Sequence, residues 1–173
     1  MLRKVVMISA CPSNTSRLNG LLESADDMLR RSEIVAERIE IRDIPSEILI
    51  GLHFDHPEIT KAMQLIEQAD AVIVASPVYK AAYSGLLKIF LDFIPEKGLK
   101  NKIVLPMFIG GTSAHTLVID YALKPVLAAL GAEHQLQGVF AVDTQVKRLD
   151  GSGFKLDDDL ILRLQMNLSA LVC

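Results

Sequence analysis

Cysteine is nearly absent: the 173 residues contain two, Cys11 near the front and Cys173 at the end. Two thiols are too few for the disulfide framework of a secreted scaffold and fit a reducing compartment, so a cytoplasmic location is expected. A basic block is missing as well. The 18 Lys and Arg and the 21 Asp and Glu are dispersed, for a net charge of -3, which argues against a nucleic-acid partner. Long apolar runs are lacking: none approaches the roughly 20 residues that cross a bilayer. The apolar stretch Val5 to Ile8, behind Arg3 and Lys4, falls short of the roughly 7 to 15 residues of a signal-peptide core and reads as a buried first strand. No Pro/Gly/Ser-rich linker or low-complexity tract interrupts the chain, so residues 1–173 are expected to form one domain with its own core.

What is present is an alternation of short β-rich runs and longer helical patterns. Residues 5–9, 34–41, 71–75, 103–108 and 136–142 read as strands, three of them apolar almost throughout, as strands covered on both faces are. Residues 17–31, 56–68, 84–93, 116–130 and 157–171 carry apolar positions at helical spacing. Strict βα alternation at this length predicts an α/β, flavodoxin-like three-layer sandwich with a five-stranded parallel sheet in the order 2-1-3-4-5. Residues 44–55 are the one long connection without clear periodicity. In such a sheet a ligand lies beyond the strand C-termini where the order reverses, so the loops after the first, third and fourth strands are the ones to read.

The first of these, "SACPSNTSRLNG", places Ser13, Asn14, Thr15, Ser16 and Arg17 at a helix start, whose free N–H groups and dipole suit a phosphate. A plain N-cap without a ligand explains the same letters. The loop has neither G-x-x-x-x-G-K-[ST] nor G-x-G-x-x-G, which sets aside a nucleoside triphosphate cradle and a dinucleotide fold. Cys11 has no histidine near it in sequence to activate it as a nucleophile. The third loop, "IGGTSAHT", offers Gly110 and Gly111, whose missing Cβ atoms let a flat ring approach, with Thr112 and Ser113 as donors or caps. With Pro77, Val78, Tyr79 and Lys80 from the second loop, "SPVYKAAYSG", they describe a slot with an anion socket at one end and a planar wall at the other. Flavin mononucleotide (FMN) has that shape and charge distribution.

Two further features have readings of their own. Pro125 sits well inside the helical pattern 116–130, where it removes an N–H and crowds the carbonyl of Tyr121, so a kink or π-bulge is expected there. "HFDHPE" places His53 and His56 near Asp55 and Glu58; a loop ending at a Pro- and acid-rich helix start accounts for these letters better than a metal does.

The string "SPVYKAAYSGLLKIFLDFIPEKGLKNKIVLPMFIGGTSAH", followed by "IDYALKPVLAALGA", resembles the NADPH-dependent FMN reductase family, and within it the reductases of two-component alkanesulfonate monooxygenase systems. Similarity runs from the first strand to about Gln145 and is strongest in P-V-Y-K-A-A-Y-S-G, G-G-T-x-A-H and D-Y-A-L-K-P-V-L. The resemblance implies that Pro77, Val78, Tyr79 and Lys80 run along the ribityl chain and ring, and that Gly110, Gly111 and Thr112 contact the isoalloxazine. It places Ser16 and Arg17 in the phosphate loop, with Cys11 and Ser13 as further cofactor contacts there. It implies FMN and NADPH or NADH as reactants, a flavin-dependent monooxygenase as partner for released reduced flavin, and a dimer or tetramer. It also implies that Tyr121 lies in a π-helix at a subunit interface near a neighbour's flavin. The departures sit in the phosphate loop. Where the family has Gly-Ser-Pro-Arg and then Ser-Arg-Ser-Ser, this chain has Ala10-Cys11-Pro12-Ser13 and Ser16-Arg17-Leu18-Asn19, so an arginine and several hydroxyls are missing.

No catalytic acid or base is expected, because hydride passes from nicotinamide to flavin and the protein stacks, orients and compensates charge. The helix start after Gly110 and Gly111, and Lys80, are the expected compensators. The alternative enzyme keeps FMN bound and reduces quinones, azo dyes or metal oxyanions. A non-enzymatic flavodoxin-type electron carrier is the alternative of a different class.

Overall fold

The computed structural model describes residues 4–172, with side chains through Leu171; Arg3 and Cys173 of the sequence reading lie outside the described residues. Val5–Ser9 forms β1, Ala36–Glu40 β2, Ala71–Tyr79 β3, Ala82–Tyr83 β4, Ile103–Gly110 β5, His134–Gln135 β6 and Val139–Val142 β7. They make one sheet ordered β2-β1-β3-β5-β6, with β7 also beside β5 and β4 folded back on β3. Every pairing but β3 with β4 is parallel. With β6 and β7 taken as one interrupted strand, the order is the expected 2-1-3-4-5.

The interruption has a local cause. β5 pairs Val104 with Gln135 and then Met107 with Val139, so the last strand carries one residue more than β5 across the gap. Pro106 lies inside that gap and has no N–H to give the ladder, which is where a strand tolerates a bulge. Of the expected continuous strand 136–142 only Val139–Val142 is strand, with the short His134–Gln135 ahead of it.

Helices cover both faces. Arg17–Arg31 (α1) and Asp158–Val172 (α6) pack on one face through Leu18, Leu21, Leu22, Leu160 and Leu164. Ser46–Ile50 (α2), Pro57–Gln68 (α3), Gly85–Leu91 (α4) and Lys124–Ala129 (α5) cover the other, around Phe90, Phe108, Leu123 and Leu127. Odd residues of β1 look into the first core and even ones into the second, so all five are buried. Burying each such Val, Ile or Met contributes about 1.5–3 kcal/mol, which is why this strand shows no polar alternation. Edge strand β2 buries only Ile39 and keeps the mixed pattern of an edge.

One detail corrects the sequence reading, one meets it and one adds to it. α2 occupies the connection 44–55 that has no visible period; five residues are too few to show one, yet Ile48 and Leu49 are buried. The pattern 116–130 is not one helix: Ile119–Leu123 is a π-helix running into α5, with the N–H of Lys124 reaching back to the Ile119 carbonyl. This is the relief expected from Pro125. Finally, residues 143–158 contain a β-hairpin, Val146–Arg148 (β8) with Phe154–Leu156 (β9).

Candidate functional site

At the C-terminal edge of the sheet, where β1 and β3 diverge, an open cleft of about 290 Å³ is lined by Pro12, Ser13, Ser16, Arg17, Pro77, Val78, Tyr79, Ile109, Gly110, Gly111, Asp143 and Arg148. The three loops singled out in the sequence do converge there.

The first wall is the start of α1. Ser16 is its N-cap, the side chain accepting from Leu18 N at 3.3 Å. The loop before it is braced from behind: Asn19 Nδ2 donates to the carbonyls of Ser13 and Asn14, both at 3.0 Å, while Asn19 Oδ1 accepts from Arg38 Nη2 at 2.6 Å. Arg38 in turn pairs with Glu40 at 2.6 Å, and Ser9 Oγ donates to Glu40 at 2.8 Å. Asn19 is 4% exposed and Leu18 fully buried. The substitutions at these two positions therefore concern support and core, not the cleft surface. Cys11 is buried too and does not line the cleft; desolvation pushes its thiol pKa upward, so it is held protonated rather than activated.

The second wall is a hairpin. "SPVYKAAYS" reads as a strand-to-helix turn, but β3 continues through Tyr79 and reverses into β4, pairing Val78 with Tyr83 and Tyr79 with Ala82. The two turn residues, Lys80 and Ala81, have φ of 50° and 62°. Such a turn matches sheet twist but favours Gly or Asn, so two ordinary residues store strain here. Buried Ser76 holds the base: its Oγ donates to the Pro77 carbonyl at 2.8 Å, accepts from Ser84 N at 2.9 Å and lies 3.3 Å from Ser84 Oγ. Ser84 then caps α4 by accepting from Leu87 N at 3.2 Å. Tyr79 is left 51% exposed at the cleft rim, while Lys80 is not part of the lining.

The third wall divides its two glycines. A Cβ on Gly110 would meet Phe140 Cζ at 3.1 Å and Val78 Cγ2 at 3.3 Å, so this glycine serves internal packing. A Cβ on Gly111 would meet only Asp143 Oδ2, at 4.0 Å, which leaves its side of the backbone open to a ring. Thr112 caps a single 3-10 turn, Ser113–His115, accepting from Ala114 N at 3.3 Å, and does not line the cleft. The expected helix start after Gly111 is this one turn, too short to build a dipole.

Asp143 and Arg148 line the cleft without having been singled out in the sequence. They come from the segment after the last strand, whose Asp-Gly-Ser-Gly turn gives no register until the hairpin is folded. His56 Nδ1 accepts from Glu58 N at 3.4 Å as the N-cap of α3, far along the chain from the cleft loops. Among the described residues no group of three or more His, Cys, Asp or Glu is placed to hold a metal, and no helix is long and apolar enough to cross a membrane.

An anion-ready helix start facing a flat, unobstructed glycine wall across the switch point of a parallel sheet defines the flavodoxin-like class of phosphate-bearing cofactor proteins. Comparison with known proteins narrows the class. Residues 3–147 match the model of the family described as NADPH-dependent FMN reductase, and the chain belongs to that family. It is 47% identical over 148 residues to an FMN reductase (NADPH) of Pseudomonas putida KT2440, covering 86% of this chain and 75% of that one. A protein of the same name from Escherichia coli K12 is 46% identical over 143 residues, 83% and 75% of the two chains. Among solved structures, the apo form of an NADH:FMN oxidoreductase (EMOB) superposes with a TM-score of 0.84 at 34% identity, covering 98% of this chain and 88% of that one. The chain is thus an oxidoreductase that works with FMN and NAD(P)H.

Proposed function

We propose that the protein uses FMN as a substrate rather than as a resident group, reducing it with NAD(P)H and releasing it to a flavin-dependent monooxygenase. The observation that carries this reading is the openness of the cleft: its ring end is bounded by Tyr79, 51% exposed, and by Gly111, whose added Cβ would meet only Asp143 Oδ2 at 4.0 Å. The anion end is also sparsely furnished. Arg17 spends its Nε on the Val146 carbonyl at 3.0 Å, leaving its terminal amines, the hydroxyls of Ser13 and Ser16 and the guanidinium of Arg148 in the cleft.

The residues present fit the group. The N–H groups of α1, with Ser13, Ser16 and Arg17, would hold the phosphate; Pro77, Val78 and Tyr79 would flank the ribityl chain; and Gly110 and Gly111 would border the ring. Cys11 and Thr112, behind the lining, act through loop shape rather than by side-chain contact. Flavin supplies the chemistry by accepting hydride from the nicotinamide. The protein's part would be to leave one ring face open so that the nicotinamide can stack; Lys80, outside the cleft lining, is not positioned to offset charge on the ring. NADPH and NADH both appear in the names of the relatives, and nothing in the lining selects between them.

Tyr121, 79% exposed on the π-helix, and Leu117 at 60% support a subunit contact through this surface; a cytoplasmic homotetramer is the working form in this reading. Two measurements test the reading: the absorption spectrum of the purified protein, and NADPH oxidation with and without added FMN. A colourless protein whose turnover saturates with added FMN, and from which reduced flavin passes a filter anaerobically, is the expected result. A yellow protein that oxidises NADPH only when a quinone is supplied overturns it in favour of a bound-flavin reductase.

A further inference from the structure

We propose that Arg148 is a phosphate-recognition residue, delivered by the C-terminal hairpin to bind the 5′-phosphate of FMN and so to distinguish FMN from riboflavin. The inference rests on the FMN reading above. It begins with how the hairpin is fastened. Arg17 Nε donates to the Val146 carbonyl at 3.0 Å, and Asp157 N donates to the Gln145 carbonyl at 2.9 Å, which fixes both strands at their base. Gly20 of α1 makes the docking possible: a Cβ there would sit 2.5 Å from Phe154 Cβ and 2.9 Å from Val146 Cγ1.

Strand periodicity then decides where the side chains go. Residues two apart share a face, so Arg148 lies on the side of Val146, which is fully buried against α1. Lys147 takes the opposite side and approaches Asp157 at 3.8 Å. Arg148 joins Ser13, Ser16 and Arg17 in the cleft lining. Among the described residues its side chain makes no hydrogen bond and no ion pair, not even with Asp143 in the same cleft. An exposed guanidinium held over an anion socket and left uncommitted there is built for a ligand. Its planar fork matches two phosphate oxygens at once, which a dianionic monoester offers and a neutral ribityl hydroxyl does not. Arg17, with its Nε engaged by the Val146 carbonyl, offers only its terminal amines, whereas all of the Arg148 fork is free. Arg148 also lies one residue past the segment matched by the family model, so it is a feature of this chain rather than of that match.

The test compares the affinities of FMN and riboflavin, read by flavin fluorescence quenching, in the wild type, Arg148→Ala and Lys147→Ala. Arg148→Ala is expected to weaken FMN about tenfold while leaving riboflavin unchanged, so that the preference for FMN shrinks by the same factor. Lys147→Ala is expected to change neither. Unaltered FMN affinity in Arg148→Ala overturns the assignment. So does an equal loss for both flavins, which would mark a structural hairpin residue, or a change confined to the KM for NADPH. A wild type that binds neither flavin overturns the FMN reading itself, whereas FMN binding indifferent to Arg148 overturns only this inference.

Discussion

The sheet has a hollow at each end, and the larger one carries less chemistry. At the N-terminal edge a groove of about 550 Å³ runs between Phe54, Met63, Pro95 and Lys102. Its buried cation is spoken for: Lys102, 8% exposed, donates its Nζ to the carbonyls of Glu67 at 2.8 Å and Ala69 at 2.7 Å, closing the end of α3. At the C-terminal edge the cleft is about half that volume, yet the open side of Gly111 and the guanidinium of Arg148 face it without internal claims on them. A group that satisfies its own fold is structural. One that the fold positions and leaves unsatisfied is available to a ligand, and that distinction separates the two hollows where size does not.

The sharpest way to break the comparison is Gly20→Ala. Because its Cβ would collide with Phe154, the hairpin must shift, with an expected loss of about 2–3 kcal/mol in urea unfolding and weakened FMN binding together. If stability falls and FMN affinity holds, the hairpin does not shape the cleft. Lys102→Met tests the opposite end. Two carbonyls lose a charged donor, and about 1–3 kcal/mol should be lost with FMN affinity unchanged. Burial holds the Lys102 ammonium below the usual lysine range. The folded state therefore releases its proton before the unfolded chain does, and this group's contribution to stability rises with pH from the lowered folded value toward 10.5. The wild type's advantage over Lys102→Met in urea midpoint should accordingly widen as pH is raised through that window.

Gly111→Ala sharpens the comparison from the other side. The new methyl meets nothing in the protein closer than 4.0 Å, so stability should move by less than about 0.5 kcal/mol, whereas FMN affinity should drop about tenfold, as titration would show. The smallest effect belongs to Ala81→Gly. Relief of the left-handed strain at φ 62° outweighs the added chain entropy, for an expected gain of about 0.5 kcal/mol in a thermal melt. A destabilised variant would mean that the hairpin tip is not strained.

Much of the fold was legible because its strands are uniformly apolar and its long helices strongly periodic; α1 begins and ends where the pattern does. The π-helix was legible for a different reason: Pro125 imposes a steric demand that reads directly from the chain. The split last strand was not, since Pro106 sits in β5 and its effect appears on the neighbour, through a pairing no local window contains. α2 was hidden by its shortness. In the candidate site, residues 13, 16, 17, 77–79, 110 and 111 meet in one cleft because the order reversal places their loops together. Arg148 and Asp143 stayed out of view because a single charge after the last strand carries no pattern; only the hairpin's register, set partly by a contact at Gly20, brings Arg148 in. Gly110 and Gly111 look alike as letters and differ by what their absent side chains would touch.

The bond from Arg17 to the Val146 carbonyl joins positions 129 residues apart. During synthesis, at roughly 5–20 residues per second, the helix start with its serines leaves the ribosome long before the hairpin that completes the anion end. Contacts of such separation form late, after the loop entropy between them has been overcome. On the proposed assignment, a nascent chain carries the first half of the flavin socket before the hairpin that completes it exists. Ligand affinity is consequently a report on the last step of assembly, and flavin added to a refolding protein should protect that step and none before it.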